Sequence, residues 1–275
     1  MAETWEIELC KKVSKEIRKD IINMTYSLGN VGAHLGGSMS MAEMLATLYC
    51  CRLKFDKSNP DWEDRDRVIL SKGHAAMALY SILAQVGIIP KELLVEFKQN
   101  GSKLSGHPSL SGLPGIEYAS GSLGQGLSLA VGAAIALKKK NNDKSRMFVF
   151  LGDGECDEGS IWEAAASASH FQLDNIVVIV DANAIQYDGY TSQILNMNPA
   201  KQKWIDFGWE CVELDGHNVE ALLDALAYKN KKPYVIIANT IKGKGVSFME
   251  DNWQFHNSRL SESQYNLALQ ELEAE

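Results

Sequence analysis

Met147-Phe-Val-Phe-Leu-Gly-Asp-Gly154 and Ile176-Val-Val-Ile-Val-Asp-Ala-Asn183 are built alike: five apolar residues followed by a polar tip. Each apolar run reads as a strand buried on both faces, and the stretch between them, Ile161 to Phe171, has helical spacing. A strand, a helix and a second strand of this kind make a parallel pair joined by a right-handed crossover. The pattern extends in both directions. Upstream, Arg67-Val-Ile-Leu70 is a further short strand; downstream, Cys211 to Leu214 and Tyr234-Val-Ile-Ile-Ala238 are strands separated by a helix over 219–227. The fold class that follows is α/β, a three-layer α/β/α arrangement around a mostly parallel sheet.

Helical periodicity also runs from Trp5 to Leu28, closed by Gly29, and recurs over 41–53 and 75–86. A run of small residues from Leu127 to Ala136 predicts a helix that packs closely against a neighbour, and the tail after Ser261 reads as a peripheral helix. No internal repeat is found. The expected organisation is one domain over residues 1–275, with peripheral helices at both ends.

Composition narrows the function. The 275 residues carry a formal charge of −8, which argues against a sequence-independent grip on nucleic acid or on an anionic membrane. Five cysteines, Cys10, Cys50, Cys51, Cys156 and Cys211, show neither a disulfide framework nor a metal-knuckle spacing, as expected of reduced thiols in the cytosol. The first residues lack the basic start and apolar stretch of a signal peptide, and no apolar run is long enough to span a bilayer. A soluble, cytoplasmic protein is expected.

In open parallel sheets ligands bind beyond the carboxyl ends of the strands. There the chain places Gly152-Asp153-Gly154 and, at the tip of the next strand, Asn183. An Asp-Gly pair alone is an ordinary turn signal. A carboxylate and a carboxamide at adjacent strand tips are instead a hard-oxygen pair suited to Mg²⁺, with Ca²⁺ or Mn²⁺ as alternatives. Such a cation takes its remaining ligands from phosphate, and the helix starting near Ser160 offers unpaired N–H groups to the same anion. Nucleotide readings are weak: Lys242-Gly-Lys-Gly-Val-Ser247 lacks the Walker order, and Gly121-Ser-Leu-Gly-Gln-Gly126 lacks the dinucleotide glycine spacing.

Four of the six histidines, His34, His74, His107 and His256, lie in small-residue loops, and His74 and His107 directly follow a glycine, where a backbone gains room to approach a ligand. Their spacings fit no zinc pattern, whereas a sugar needs several donors and acceptors that titrate near neutrality. His170, within a helix, and His217, at a strand end, read as structural.

Gly-Asp-Gly with an Asn after the following strand resembles the thiamine diphosphate signature. Gly32-Ala-His-Leu-Gly-Gly-Ser38, Leu70-Ser-Lys-Gly-His-Ala75, Gly106-His-Pro108, Gly121-Ser-Leu-Gly-Gln-Gly126, Glu158-Gly159, Ile185-Gln-Tyr-Asp-Gly189 and His256 then follow the order found in transketolases. The resemblance runs from about Gly29 to His256. It implies metal ligation by Asp153, Asn183 and the Ile185 carbonyl. It implies cofactor contacts from His74, Gly121, Ser122, Leu123, Gly152, Asp153, Gly154, Glu155, Glu158, Asn183, Ile185 and His256, with Glu158 at a subunit interface. His34 and His256 would act on substrate hydroxyl and carbonyl groups, and His74 and His107 near the C1 hydroxyl, so that His34, His74, His107 and His256 form the catalytic set. Two departures stand out: Ser122 where many transketolases have Pro, and Asn257 after His256 where Gly is usual.

The resemblance further implies thiamine diphosphate and Mg²⁺ as cofactors and transfer of a two-carbon ketol unit between sugar phosphates. The glutamate that would activate the cofactor belongs in that family to a later, pyrimidine-binding domain. A partner chain carrying that domain, in an α₂β₂ assembly, is therefore expected. The rival expectations are a subunit resembling 1-deoxy-xylulose-5-phosphate synthase or another thiamine enzyme, and a cofactor-binding scaffold without turnover.

Overall fold

The computed structural model describes residues 2–274. Helix α1 (Thr4–Ser27) is followed by α2 (Gly36–Met39), α3 (Ala42–Thr47), strand β1 (Arg67–Leu70), α4 (Ala76–Gln85) and α5 (Gln125–Lys139). Then come β2 (Met147–Gly152), α6 (Gly159–His170), β3 (Ile176–Ala182), β4 (Ile185–Gln186), β5 (Gly189–Tyr190), α7 (Thr191–Ile194) and α8 (Ala200–Asp206). The chain closes with β6 (Glu210–Asp215), α9 (Val219–Ala227), β7 (Tyr234–Asn239) and α10 (Glu262–Ala274). Five strands form one parallel sheet in the order β1-β2-β3-β7-β6, and β4 and β5 pair as a small antiparallel hairpin.

The apolar strands work as two-sided walls because successive side chains alternate between faces. Phe148, Phe150, Val177, Ile179 and Ile236 enter one core with α1, α3, α4 and α9. Met147, Val149, Leu151, Val178, Val180 and Ile237 enter the other with α5, α6, Trp204 and Trp209. The sheet is thus covered on both faces, as its uniform hydrophobicity requires, while edge strand β6 is only partly covered. Helix α10 lies against α1: Tyr265 stacks on Tyr26 at 4.0 Å, and Ala268 and Leu272 are buried.

Register brings the functional tips together. Gly152 on β2 lies opposite Asp181 on β3, and Asp181 lies opposite Ala238 on β7. Helix α5 starts directly over the loop that leaves β1, where a Cβ on Gly126 would lie 2.4 Å from Ser71 Oγ and 2.9 Å from Ser71 Cα. Only glycine permits that approach.

The helix expected over 41–53 is present as α3, which continues without a gap into a widened π-type turn at Leu48–Arg52, and the separate turn α2 precedes it. Gly36, in α2, lies against the Lys242 stem, which an added Cβ would meet at 2.8 Å. At the far end the Thr47 hydroxyl donates to the carbonyls of Glu43 and Met44, and Leu53 N–H reaches back to Leu48 O at 2.7 Å.

A buried ionic group joins α1, α3 and the turn after β6. Arg18 donates to both Glu43 oxygens at 2.6 and 2.7 Å, and His217 Nδ1 lies 3.0 Å from Glu43 Oε2. Because His217 Nε2 accepts from Ile241 N–H at 2.8 Å, its proton sits on Nδ1 and points at Glu43. His217 is therefore part of the frame, and His170 is at the end of α6 with its ring against Phe171.

Burial pushes the Glu43 carboxyl up, but Arg18 and His217 outweigh it and hold its pKa at about 2. Since the folded value lies below the unfolded one, the ionised group stabilises the fold above about pH 4.5, and that contribution fades as pH falls towards 2. Arg18→Met strands a buried carboxylate and should lower unfolding free energy by about 3–5 kcal/mol in chemical denaturation. The acid loss of stability should be shallower in Glu43→Gln; identical acid curves for parent and variant would remove this group from the explanation.

Candidate active site

At the tip of β2, Asp153 is held by backbone from the segments that follow β2 and β3: Oδ1 accepts from Gly154 N–H at 2.8 Å and Oδ2 from Ala184 N–H at 2.6 Å. Burial, and then the negative charge of Asp181, push its pKa up to about 6. No side-chain cation pairs with Asp153 among the described residues, so a carboxylate in this position favours a bound positive ion.

Asp181, two residues before Asn183, is treated differently. It is fully buried and accepts from the Lys72 ammonium, the Thr240 hydroxyl, Ser40 Oγ at 2.6 Å and Asn183 Nδ2 at 3.0 Å. Burial alone would raise its pKa; Lys72 and the two hydroxyls outweigh that and hold it low. The bond to Asn183 Nδ2 also decides which way that amide faces. Its Oδ1, which takes Ile185 N–H at 3.2 Å, is the atom left for a ligand.

Asp153, Asn183 Oδ1 and the Ile185 carbonyl make an oxygen set that suits a hard divalent cation. The Ile185 carbonyl accepts from Lys242 Nζ at 2.6 Å, using one of its two lone pairs and leaving the other. Tight backbone packing frames the place where a diphosphate would lie. A Cβ on Gly73 would fall 2.8 Å from Gly121 N, and one on Gly154 would fall 2.9 Å from Gln186 Cβ. The residues fit a metal-bound diphosphate, with Gly152 and Gly154 giving the backbone room beside it.

The four loop histidines converge. His34 is central, its ring centroid 5.6 Å from His74, 5.5 Å from His107 and 5.5 Å from His256; His74 and His256 stack at 5.3 Å. The loop before His34 is sewn to the loop after His256 by paired bonds between Ala33 and Ser258, at 2.9 and 3.0 Å. Burial first, then neighbouring cationic groups, lower His34 to about 4 and His256 to about 3; His74 and His107 are lowered for the same reasons. The cluster is neutral at pH 7, each ring offering one donor and one acceptor.

The remaining sequence-derived residues surround this centre unequally. Gly121, Ser122 and Leu123 form an exposed loop, and the Gly121 backbone lies on the His107 ring, where an added Cβ would meet it at 3.6 Å. Glu158 is exposed at the start of α6. Glu155 is buried, with its carboxylate engaged by Ser71 Oγ, Gly124 N–H at 2.9 Å and Gly152 N–H at 3.1 Å. That pattern ties three loops together.

Sequence reasoning missed Lys72, Asp181 and Lys242. Lys242 is buried, reaches His256 Nδ1 at 3.0 Å, and is pulled down to about pKa 8 by burial and by Lys72. The available signal was a lysine beside glycine just past a strand, in Ser71-Lys-Gly and Ile241-Lys-Gly.

Comparison with known proteins matches residues 12–274 to the family of the transketolase thiamine diphosphate-binding domain. The 6-deoxy-6-sulfo-D-fructose transketolase subunit SqwG of a Clostridium species is 43% identical over 252 residues, covering 90% of this chain and 91% of that protein. An apulose-4-phosphate transketolase subunit from Actinobacillus succinogenes is 40% identical over 267 residues, covering 96% of each. Among solved structures, transketolase from Campylobacter jejuni superposes with a TM-score of 0.88 at 32% identity, over 99% of this chain and 43% of that one. The chain thus spans nearly the whole of the subunit relatives and less than half of the longer transketolase. It belongs to the transketolase family, as a member of its N-terminal, thiamine diphosphate-binding domain.

Proposed function

We propose that this chain is the diphosphate-holding subunit of a two-chain transketolase, which moves a two-carbon ketol unit from an anionic ketose to an aldose. The observation that carries this reading is the convergence of four neutral histidines on a site bordered by the Asp153, Asn183 and Ile185 oxygens. A partner with a pyrimidine-binding domain completes the site, in an α₂β₂ assembly; the close relatives are themselves named as subunits. Mg²⁺ is the preferred metal, and the five free thiols suit the cytosol. No helix among the described residues is long and apolar enough to cross a membrane.

Asp153, Asn183 and the Ile185 carbonyl would hold the cation, and the loops at Gly121–Leu123 and Glu158 would meet the cofactor and the partner. When bound, thiamine diphosphate supplies a nucleophilic carbon and an electron sink for breaking a carbon–carbon bond. His34 accepts and returns the proton of the substrate hydroxyl next to that bond, and His256, with its proton on Nε2, donates to a substrate oxygen. His74 and His107 hold the C1 hydroxyl, orienting the carbonyl without adding charge. Lys242 fixes the His256 tautomer: its ammonium donates to Nδ1, which leaves the His256 proton on Nε2.

With its partner, His34→Ala should lose at least about 100-fold in turnover while cofactor affinity stays within several-fold. Unchanged turnover would remove His34 from the reaction. The assay pairs a ketose with an aldose, and the rival pairing of pyruvate with glyceraldehyde phosphate should give no product.

Cation binding needs Asp153 ionised, and its pKa of about 6 lies on the acid side of neutrality. Calorimetric affinity for Mg²⁺ with thiamine diphosphate should therefore be flat above about pH 7 and weaken about tenfold per unit below pH 6. Asp153→Ala should abolish the metal-dependent heat; undiminished binding would refute the ligand assignment.

A further inference from the structure

Three ammonium groups influence the histidine cluster, and two of them are committed inside it. Lys72 is paired with Asp181, and Lys242 is bonded to the Ile185 carbonyl and His256. The third, Lys98, is exposed and makes no ion pair among the described residues. Its Nζ donates to the Gly32 carbonyl at 2.7 Å, two residues before His34. Its stem runs over Gly106, where an added Cβ would lie 3.5 Å from Lys98 Cδ and Cε, one residue before His107. Lys98 therefore spans the two loops that carry His34 and His107, and its charge acts on both rings.

Its backbone is held in an unusual state. Lys98 has φ of 57°, in the left-handed region that a residue with a side chain rarely adopts, and its N–H is anchored to Leu104 O at 2.7 Å. A cost of this kind persists where the surrounding structure enforces it, commonly at ligand sites. The single bond to a backbone carbonyl is easily exchanged for a stronger partner, because a charge-assisted bond to an oxyanion exceeds a bond to a neutral carbonyl.

Neutral histidines can hold hydroxyls and a carbonyl, but they give an anionic substrate nothing to balance its charge. We infer that Lys98 is a specificity-determining residue that receives the terminal tetrahedral oxyanion of the ketose, phosphate or sulfonate, at the mouth of the histidine cluster. This rests on the ketol-transfer reading above and adds that this chain, and not its partner alone, selects for substrate charge.

The test uses the chain together with its partner chain, and three ketoses sharing one carbon skeleton: fructose 6-phosphate, 6-deoxy-6-sulfofructose and fructose. Lys98→Met keeps the stem and loses the charge; Lys98→Arg keeps the charge. Lys98→Met should lower kcat/KM about 10- to 100-fold for the phosphate or the sulfonate and less than about 3-fold for fructose, with Lys98→Arg restoring most of the loss. Which of the two oxyanions suffers more identifies the natural anion. A Met variant that treats all three ketoses alike, whether unchanged or uniformly weakened, overturns the proposal, because a mere strap between loops would affect them equally. A parent pair that turns over none of the three would overturn the ketol-transfer reading, and the inference with it.

Discussion

One buried carboxylate organises the ligand-bearing edge of this protein. Asp181, at the tip of β3, takes bonds from Lys72 beyond β1, Ser40 after α2, Thr240 beyond β7 and the Asn183 amide. Removing a carboxylate and an ammonium from water costs several kcal/mol per ion, and attraction offsets this only when geometry is good and the other lone pairs are satisfied. Asp181 meets that condition with four donors from four parts of the chain. Their convergence fixes where each loop leaves the sheet.

Two consequences reach the chemistry. Asn183 is oriented with its amide nitrogen on Asp181 and its oxygen on Ile185 N–H, and Asp153 on the neighbouring strand feels a second negative charge close by. Of two carboxylates at adjacent tips, one is paired with an internal lysine, and the other, without a side-chain cation among the described residues, is the one the proposed function gives to a metal ion. The same lysines explain the histidines. Burial disfavours the imidazolium form, and Lys72, Lys98 and Lys242 add to that effect at different members of the cluster. The site is thereby divided into a polar edge, which the proposed function gives to metal and diphosphate, and a cluster of histidines, which it gives to sugar hydroxyls.

Much of this was legible in the residues themselves. The runs 147–151, 176–180 and 234–238 are apolar throughout because the sheet is covered on both faces, and the strands stand where those runs predict them. His34, His74 and His107 were marked by alanine or glycine neighbours. Shorter elements were not legible: the two-residue strands β4 and β5, the single turn α2 and the π-type widening from Leu48 are too brief to carry a period. The lysines were hidden for another reason. A lysine defaults to a solvated surface, and the partner that buries Lys72 lies 109 residues away. Nothing local distinguishes a strand-tip aspartate that binds metal from one that serves as an internal counter-ion, so Asp153 and Asp181 could be separated only by the fold.

Anomalous diffraction from crystals grown with Mn²⁺ and thiamine diphosphate locates the cation directly. A single peak bounded by the Asp153 carboxylate, Asn183 Oδ1 and the Ile185 carbonyl, with Asp181 still bonded to Lys72, is the expected picture. A peak coordinated by Asp181, or cofactor density with no cation near Asp153, would show that the division of labour between the two carboxylates is wrong.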